Sequence, residues 1–187
     1  MPTVPSQYLD DIDPDNPPHV AGSVGGNIVE IADPGRWYRA QHDFKAWFDR
    51  HAVAGFLPPG TPIDRLARHL GHVHKLEVGR DGEDFRYRIY GNLIAAEANM
   101  RMQGRWVSEL PEPTRGIFLA HYRALLAAPR LFIGELRYVG DAMSHPVWYR
   151  AEAPIGMPET GMLGVIVLTR PTDLDEDPET ESPPPRG

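Results

Sequence analysis

The sequence predicts an α+β domain: a five-stranded antiparallel sheet with helices on one face, plus an N-terminal helix. Five strand-like runs lie between Val73 and Thr169, two before and three after a helical stretch. The first two are joined by Arg80-Asp81-Gly82-Glu83, whose Asp-Gly pair favours a tight hairpin. Between the two groups, Phe118, Tyr122, Leu125 and Leu126 share one face of a helix over 114–127. A hairpin, a helical insertion and a meander can close into one sheet with the insertion as its cover. The first strand is then expected at the centre, flanked by the second and the last.

Order begins at Asp33-Pro34, where Asp33 suits an N-cap and Pro34 the first helical position. A helix over 34–54 follows, with Trp37, Phe44, Phe48 and His51 at helical spacing and Trp47 beside them. Gly55 is a stop signal, and Pro58-Pro59 forbid continuation. A short helical piece is expected over 63–70, then strands over 73–78 and 85–90. Phe85, Tyr87 and Ile89 alternate with Arg86, Arg88 and Tyr90, a half-buried pattern that places Ile89 inside. Short helices and a loop fill 92–110. After the helix over 114–127, closed by Pro129, strands are expected over 131–139, 147–155 and 162–169.

The ends differ in composition. Residues 1–35 hold six acids and no bases, while 171–187 hold six acids and Arg186. With a net charge of −7 over 187 residues, the stretch between is mildly basic, too weakly and too diffusely for nucleic-acid binding. Prolines concentrate at both ends. Residues 1–32 are expected to be a flexible extension and 171–187 a disordered acidic tail, leaving a domain over 33–170.

Cysteine is absent, which excludes disulfides, thiolate metal centres, thiol nucleophiles and cysteine-dependent flavin photochemistry. Met1 to Asp15 has acids and prolines where a signal peptide needs a basic start and an apolar run. No uninterrupted apolar stretch reaches the roughly 18 residues of a membrane helix. A cytoplasmic location and no membrane insertion are expected.

The element order and several local motifs resemble the single-domain PAS-like family of alphaproteobacteria. These motifs are Leu57-Pro58, Ile63-Asp64, the strand to Val78, Phe85-Arg86-Tyr87-Arg88-Ile89-Tyr90-Gly91, and Gln103-Gly104-Arg105 followed by Ser108-Glu109-Leu110. The resemblance covers roughly residues 36–170. It departs at Arg65, where the family often has proline, and at Gly60-Thr61, where it often has arginine. It implies a PAS fold, a pocket between sheet and helices, and a sensory or protein-interaction role in signal transduction exerted through a separate partner protein. It implies no particular cofactor or ligand. A helix at the N-terminal position commonly forms dimers in such proteins. The stripe Trp37, Phe44, Trp47 and Phe48 is therefore expected to mediate homodimerisation, the alternative being burial on the outer face of its own sheet.

The expected pocket wall comprises Tyr87, Met100, Met102, Trp106, Phe118, Tyr122 and Trp148, with Arg88, Arg105 and His121 as its polar members. Core packing alone explains most of the apolar ones. His72 and His74 share a strand face near His69, yet no full ligand set accompanies them, so no metal site is expected. His121 could ligate a haem, which makes a haem or small-ligand sensor the second reading. Ser6, Ser23, Ser108, Ser144 and Ser182 lie in no nucleophile elbow, and Gly22, Gly25 and Gly26 form no phosphate loop. No catalytic residues are expected. A cone-shaped enzyme of the ketosteroid-isomerase type is the third reading and requires a base deep in the pocket.

Overall fold

The computed structural model describes residues 25–79, 82–139 and 145–174. Expectations for 1–24, for Arg80-Asp81, for 140–144 and for 175–187 fall outside these residues; of the two ends expected to be flexible, Gly25–Glu30 and Pro171 belong to strands and Thr172–Leu174 form a 3-10 turn. The strands are β1 (Gly25–Glu30), β2 (Val73–Val78), β3 (Phe85–Ile89), β4 (Phe132–Val139), β5 (Val147–Met157) and β6 (Met162–Pro171). The α-helices are α1 (Arg39–His51), α2 (Asn92–Glu97) and α3 (Thr114–Ala127).

All six strands form one sheet in the order β1-β4-β5-β6-β2-β3, every neighbouring pair antiparallel. The expected count of five is corrected to six. The extra strand, β1, pairs with β4 from Gly25–Val139 to Glu30–Gly134 and comes from the segment expected to be flexible. Gly134 makes this pairing possible, because a Cβ there would lie 2.2 Å from the Val29 carbonyl oxygen. Arg130 adds a forked ion pair to Glu30 at 2.6 and 2.8 Å. As expected, β2 lies between β3 and β6, but beside an edge strand and not at the centre.

The expected pattern of β3 holds from Phe85 to Arg88, and a register shift on the β2–β3 ladder reverses it only at Ile89 and Tyr90. Lys75 opposes Ile89 while Leu76 opposes Tyr87, so Arg88 is an extra residue. A bulge of this kind turns the following side chains over. Ile89 consequently points outward, half exposed, and Tyr90 joins Tyr87 inside. The outer edge of β3 is closed by the Gln103-Gly104-Arg105 loop. Tyr87 N donates to Arg105 O at 2.9 Å and Gly104 N to Tyr87 O at 2.7 Å. Gly104 has φ +81°, a conformation glycine adopts without strain.

The inserted helices α2 and α3 cover one face, as expected, and the N-terminal helix α1 covers the other. β5 shows why. Trp148, Arg150 and Glu152 alternate with Tyr149, Ala151 and Ala153. The first set faces α3 and a core containing Leu76, Phe118, Tyr122, Leu136, Val165 and Val167. The second faces α1 and a core containing Phe44, Trp47, Leu57, Leu66, Ile166 and Leu168. The small Ala151 and Ala153 leave room for the aromatic face of α1, where Phe44 and Trp47 are fully buried and Trp37 nearly so. Both indoles are satisfied, Trp37 Nε1 by Ile31 O at 2.7 Å and Trp47 Nε1 by Pro62 O at 2.6 Å. Phe48 packs at the margin of the same core.

Of the two surfaces open to the aromatic stripe, the outer face of its own sheet is the one that covers it, which was the alternative to self-association. Gln41, fully buried, completes the docking of α1. Its Nε2 donates to Gly134 O at 3.1 Å and Arg150 O at 2.9 Å, and its Oε1 accepts from Tyr38 N at 2.9 Å.

Candidate functional site

A cavity of about 50 Å³ lies between the sheet and the helical insertion. β2, β3, β4, β5 and β6 supply its floor, and α2, the loop around Met100–Met102 and α3 its roof. Of the expected wall, Tyr87, Met100, Met102, Phe118, Tyr122 and Trp148 are brought together here. The other four stand elsewhere. Arg88, outward by its alternation with the buried Tyr87, is exposed and pairs with Glu77. Arg105 pairs with Glu109 at 2.8 Å. Trp106 lies half-buried under the Arg86 guanidinium, 5.8 Å from its ring centre. His121, on the flank of α3, donates to Glu152 at 2.9 Å instead of entering the cavity.

Arg150, Thr114, Thr169, Tyr90 and Tyr138, none of them in the expected wall, also line the cavity, as does His74, which the sequence offered only as a metal ligand. Arg150 and Glu152 are 2% and 0% exposed and form an ion pair within β5. Arg150 also donates to Tyr122 Oη at 2.8 Å, and its guanidinium lies 5.0 Å from the Phe118 ring centre. Burial alone raises the Glu152 carboxyl, but Arg150 and His121 outweigh it and hold the group well below the usual carboxylate range. The pair is therefore ionised, and Glu152 is committed to Arg150 and His121. A period-two reading of 148–152 places Trp148, Arg150 and Glu152 on one inward face, which is the signal that locates this pair.

His74 is 5% exposed, against Tyr90 with ring centres 4.5 Å apart and Tyr87 at 5.7 Å. Burial first, and then the charge of Arg150, pushes its pKa from the ordinary 6.5 down to about 3. The ring is neutral at physiological pH. Burial likewise pushes the phenols of Tyr122 and Tyr138 up to about 12, and those of Tyr87 and Tyr90 higher, so all four remain protonated. Three buried polar atoms on the wall have no hydrogen-bond partner: His74 Nδ1, Thr114 Oγ1 and Thr169 Oγ1. Buried polar groups are usually paired, and each left unpaired costs about 1–3 kcal/mol.

No family model, curated protein or solved structure matches the chain.

The three histidines considered as metal ligands are separated. His69 pairs with Asp43 at 3.0 Å, His72 with Glu97 at 2.9 Å, and His74 turns into the cavity. Among the described residues no cluster of three His, Asp or Glu side chains is placed to hold a metal. No helix of the described residues is long and apolar enough to cross a membrane.

Proposed function

We propose that the chain is a PAS-type sensory and protein-interaction module that reads a small molecule and acts through a separate partner protein. The observation that supports this best is the cavity under the helical insertion, three residues of whose wall carry a buried, unpaired polar atom. A wall that leaves hydrogen-bonding capacity open at a cost is suited to a bound molecule that completes it. The strand order β3-β2-β6-β5-β4, with the helices inserted between β3 and β4, accords with the same reading.

The rival readings find less support. The cavity is far smaller than a porphyrin, and His121 is engaged with Glu152. An isomerase-type base needs a pKa near the working pH. His74 lies far below that, and Glu152 is held by Arg150 and His121.

Native mass spectrometry of the freshly purified full chain tests the proposal. A small-molecule mass excess that is retained under native conditions and lost on denaturation is expected. A mass equal to the bare chain, unchanged after exposure to cell metabolite extract, would reject the ligand-reading part of the proposal.

A further inference from the structure

We infer that the cavity takes a small, uncharged, flat molecule whose edge carries both a hydrogen-bond donor and an acceptor. The inference rests on the reading of this cavity as a ligand site and adds the class of ligand.

The hydrogen-bonding requirement comes first. His74 Nδ1, Thr114 Oγ1 and Thr169 Oγ1 are unpaired, on residues 5%, 4% and 3% exposed, and they project from β2, the start of α3 and β6. A hydroxyl both donates and accepts, while a neutral imidazole nitrogen does one or the other. An edge carrying only donors or only acceptors leaves part of that capacity unmet.

Charge narrows the class. Arg150 is the one charged side chain among the described residues lining the cavity, and its field already disfavours a proton on His74. A cation is therefore disfavoured, despite the aromatic rings that elsewhere attract cations. An anion is disfavoured too, because the guanidinium is already answered by Glu152 directly behind it. A second buried anion here has no free counter-charge.

Shape and size follow from the walls. His74 and Tyr90 lie at 4.5 Å with 30° between their planes, and Tyr87 meets Tyr90 edge-on at 5.3 Å, so this wall is aromatic and a flat ring packs on it through offset or edge-to-face contacts. The volume of about 50 Å³ suits roughly three to five non-hydrogen atoms. Met100 and Met102 can adjust around a slightly larger group.

The test titrates the isotope-labelled full chain with three probes of similar size: pyrazole, acetate and tetramethylammonium. Pyrazole is uncharged, flat, and carries one donor and one acceptor. It is expected to shift the Thr114 and Thr169 methyl and His74 ring resonances saturably, with acetate and tetramethylammonium at least about tenfold weaker. Thr169→Val is expected to weaken pyrazole about tenfold without loss of folding, and Thr114→Val serves if that variant does not fold. Tighter binding of acetate or tetramethylammonium overturns the uncharged class and leaves the cavity standing as a ligand site. Unchanged pyrazole affinity in a folded threonine variant overturns the assignment of its edge. No saturable shift with any probe, the cavity holding water alone, overturns this inference together with the ligand-site reading beneath it.

Discussion

His121 Nε2 lies 2.9 Å from Glu152 Oε2, so the helix that roofs the cavity is tied to an inner strand through a fully buried carboxylate. Glu152 in turn holds Arg150, and Arg150 holds the Tyr122 hydroxyl, which returns to the same helix. Helix α3 is thus clamped to β5 at two points one residue apart.

Breaking the clamp is expected to cost more than removing it. Glu152→Gln leaves Arg150 buried without a counter-charge and should lower the unfolding free energy by about 3–5 kcal/mol. The double variant Arg150→Met/Glu152→Met should recover most of that loss, since an apolar pair of similar volume escapes the desolvation cost. Urea denaturation of the singles and the double provides the cycle. A double variant less stable than either single would show that the charges contribute net stability.

Acid should unfold the protein in two stages. The folded-state pKa of His74, about 3, lies below its ordinary 6.5, so its contribution is complete above about pH 6.5 and declines as pH falls toward 3. The slope is about 1.4 kcal/mol per pH unit for one proton. Glu152 is also held below its ordinary value of 4.5, so a second loss begins near pH 4.5 and grows on further acidification. Denaturation midpoints from pH 7.5 to about 2.5 should trace both limbs, and His74→Phe should flatten only the upper one. An unaltered upper limb in that variant would reject the assignment.

Thr114→Val and Thr169→Val remove hydroxyls that lack partners in the free protein. Each should be neutral or stabilise by up to about 1 kcal/mol, a shape-preserving change that removes an unpaid desolvation cost. Thermal melts check this. A loss above about 1 kcal/mol would show that ordered water or another group already satisfies these atoms.

Phe44→Ala should destabilise by about 3–5 kcal/mol, because the ring is fully buried between α1 and the sheet. Phe48→Ala, at the margin of that core, should cost clearly less. Melts paired with light scattering separate folding from association. A Phe44→Ala protein of unchanged stability but altered oligomeric state would return the aromatic stripe to an intermolecular role.

Much of the fold was legible in local pattern. β2 and α3 begin and end where periodicity and Pro129 placed them, because alternation and a one-sided apolar face are written into a few adjacent residues. β1 was not legible. Its sequence, Gly-Gly-Asn-Ile-Val-Glu, has two glycines and lies in acidic, proline-rich surroundings, and it is a strand only because β4 offers an edge. The exchange of Ile89 for Tyr90 was hidden by the bulge at Arg88, a property of the ladder and not of the strand. In the site, the aromatic and methionine wall could be read from size and order. Arg150 could not be found by treating charges as surface, since its burial is licensed by Glu152 two residues on. The aromatic stripe of α1 announced that it needed cover without stating which surface provides it.

Gln41 also sets a constraint in time. Its side-chain amide bonds to carbonyls 93 and 109 residues further along the chain. On a ribosome the segment that forms α1 emerges long before Gly134 and Arg150 have been made. Its aromatic face then has no sheet to lie against, so a large part of synthesis proceeds with Phe44 and Trp47 uncovered. The long-range closure that finally covers them also slows folding, since the entropy of a long loop is spent before its contacts form. The nascent chain is most prone to aggregation during that interval, and its exposure ends only when β5 has been translated.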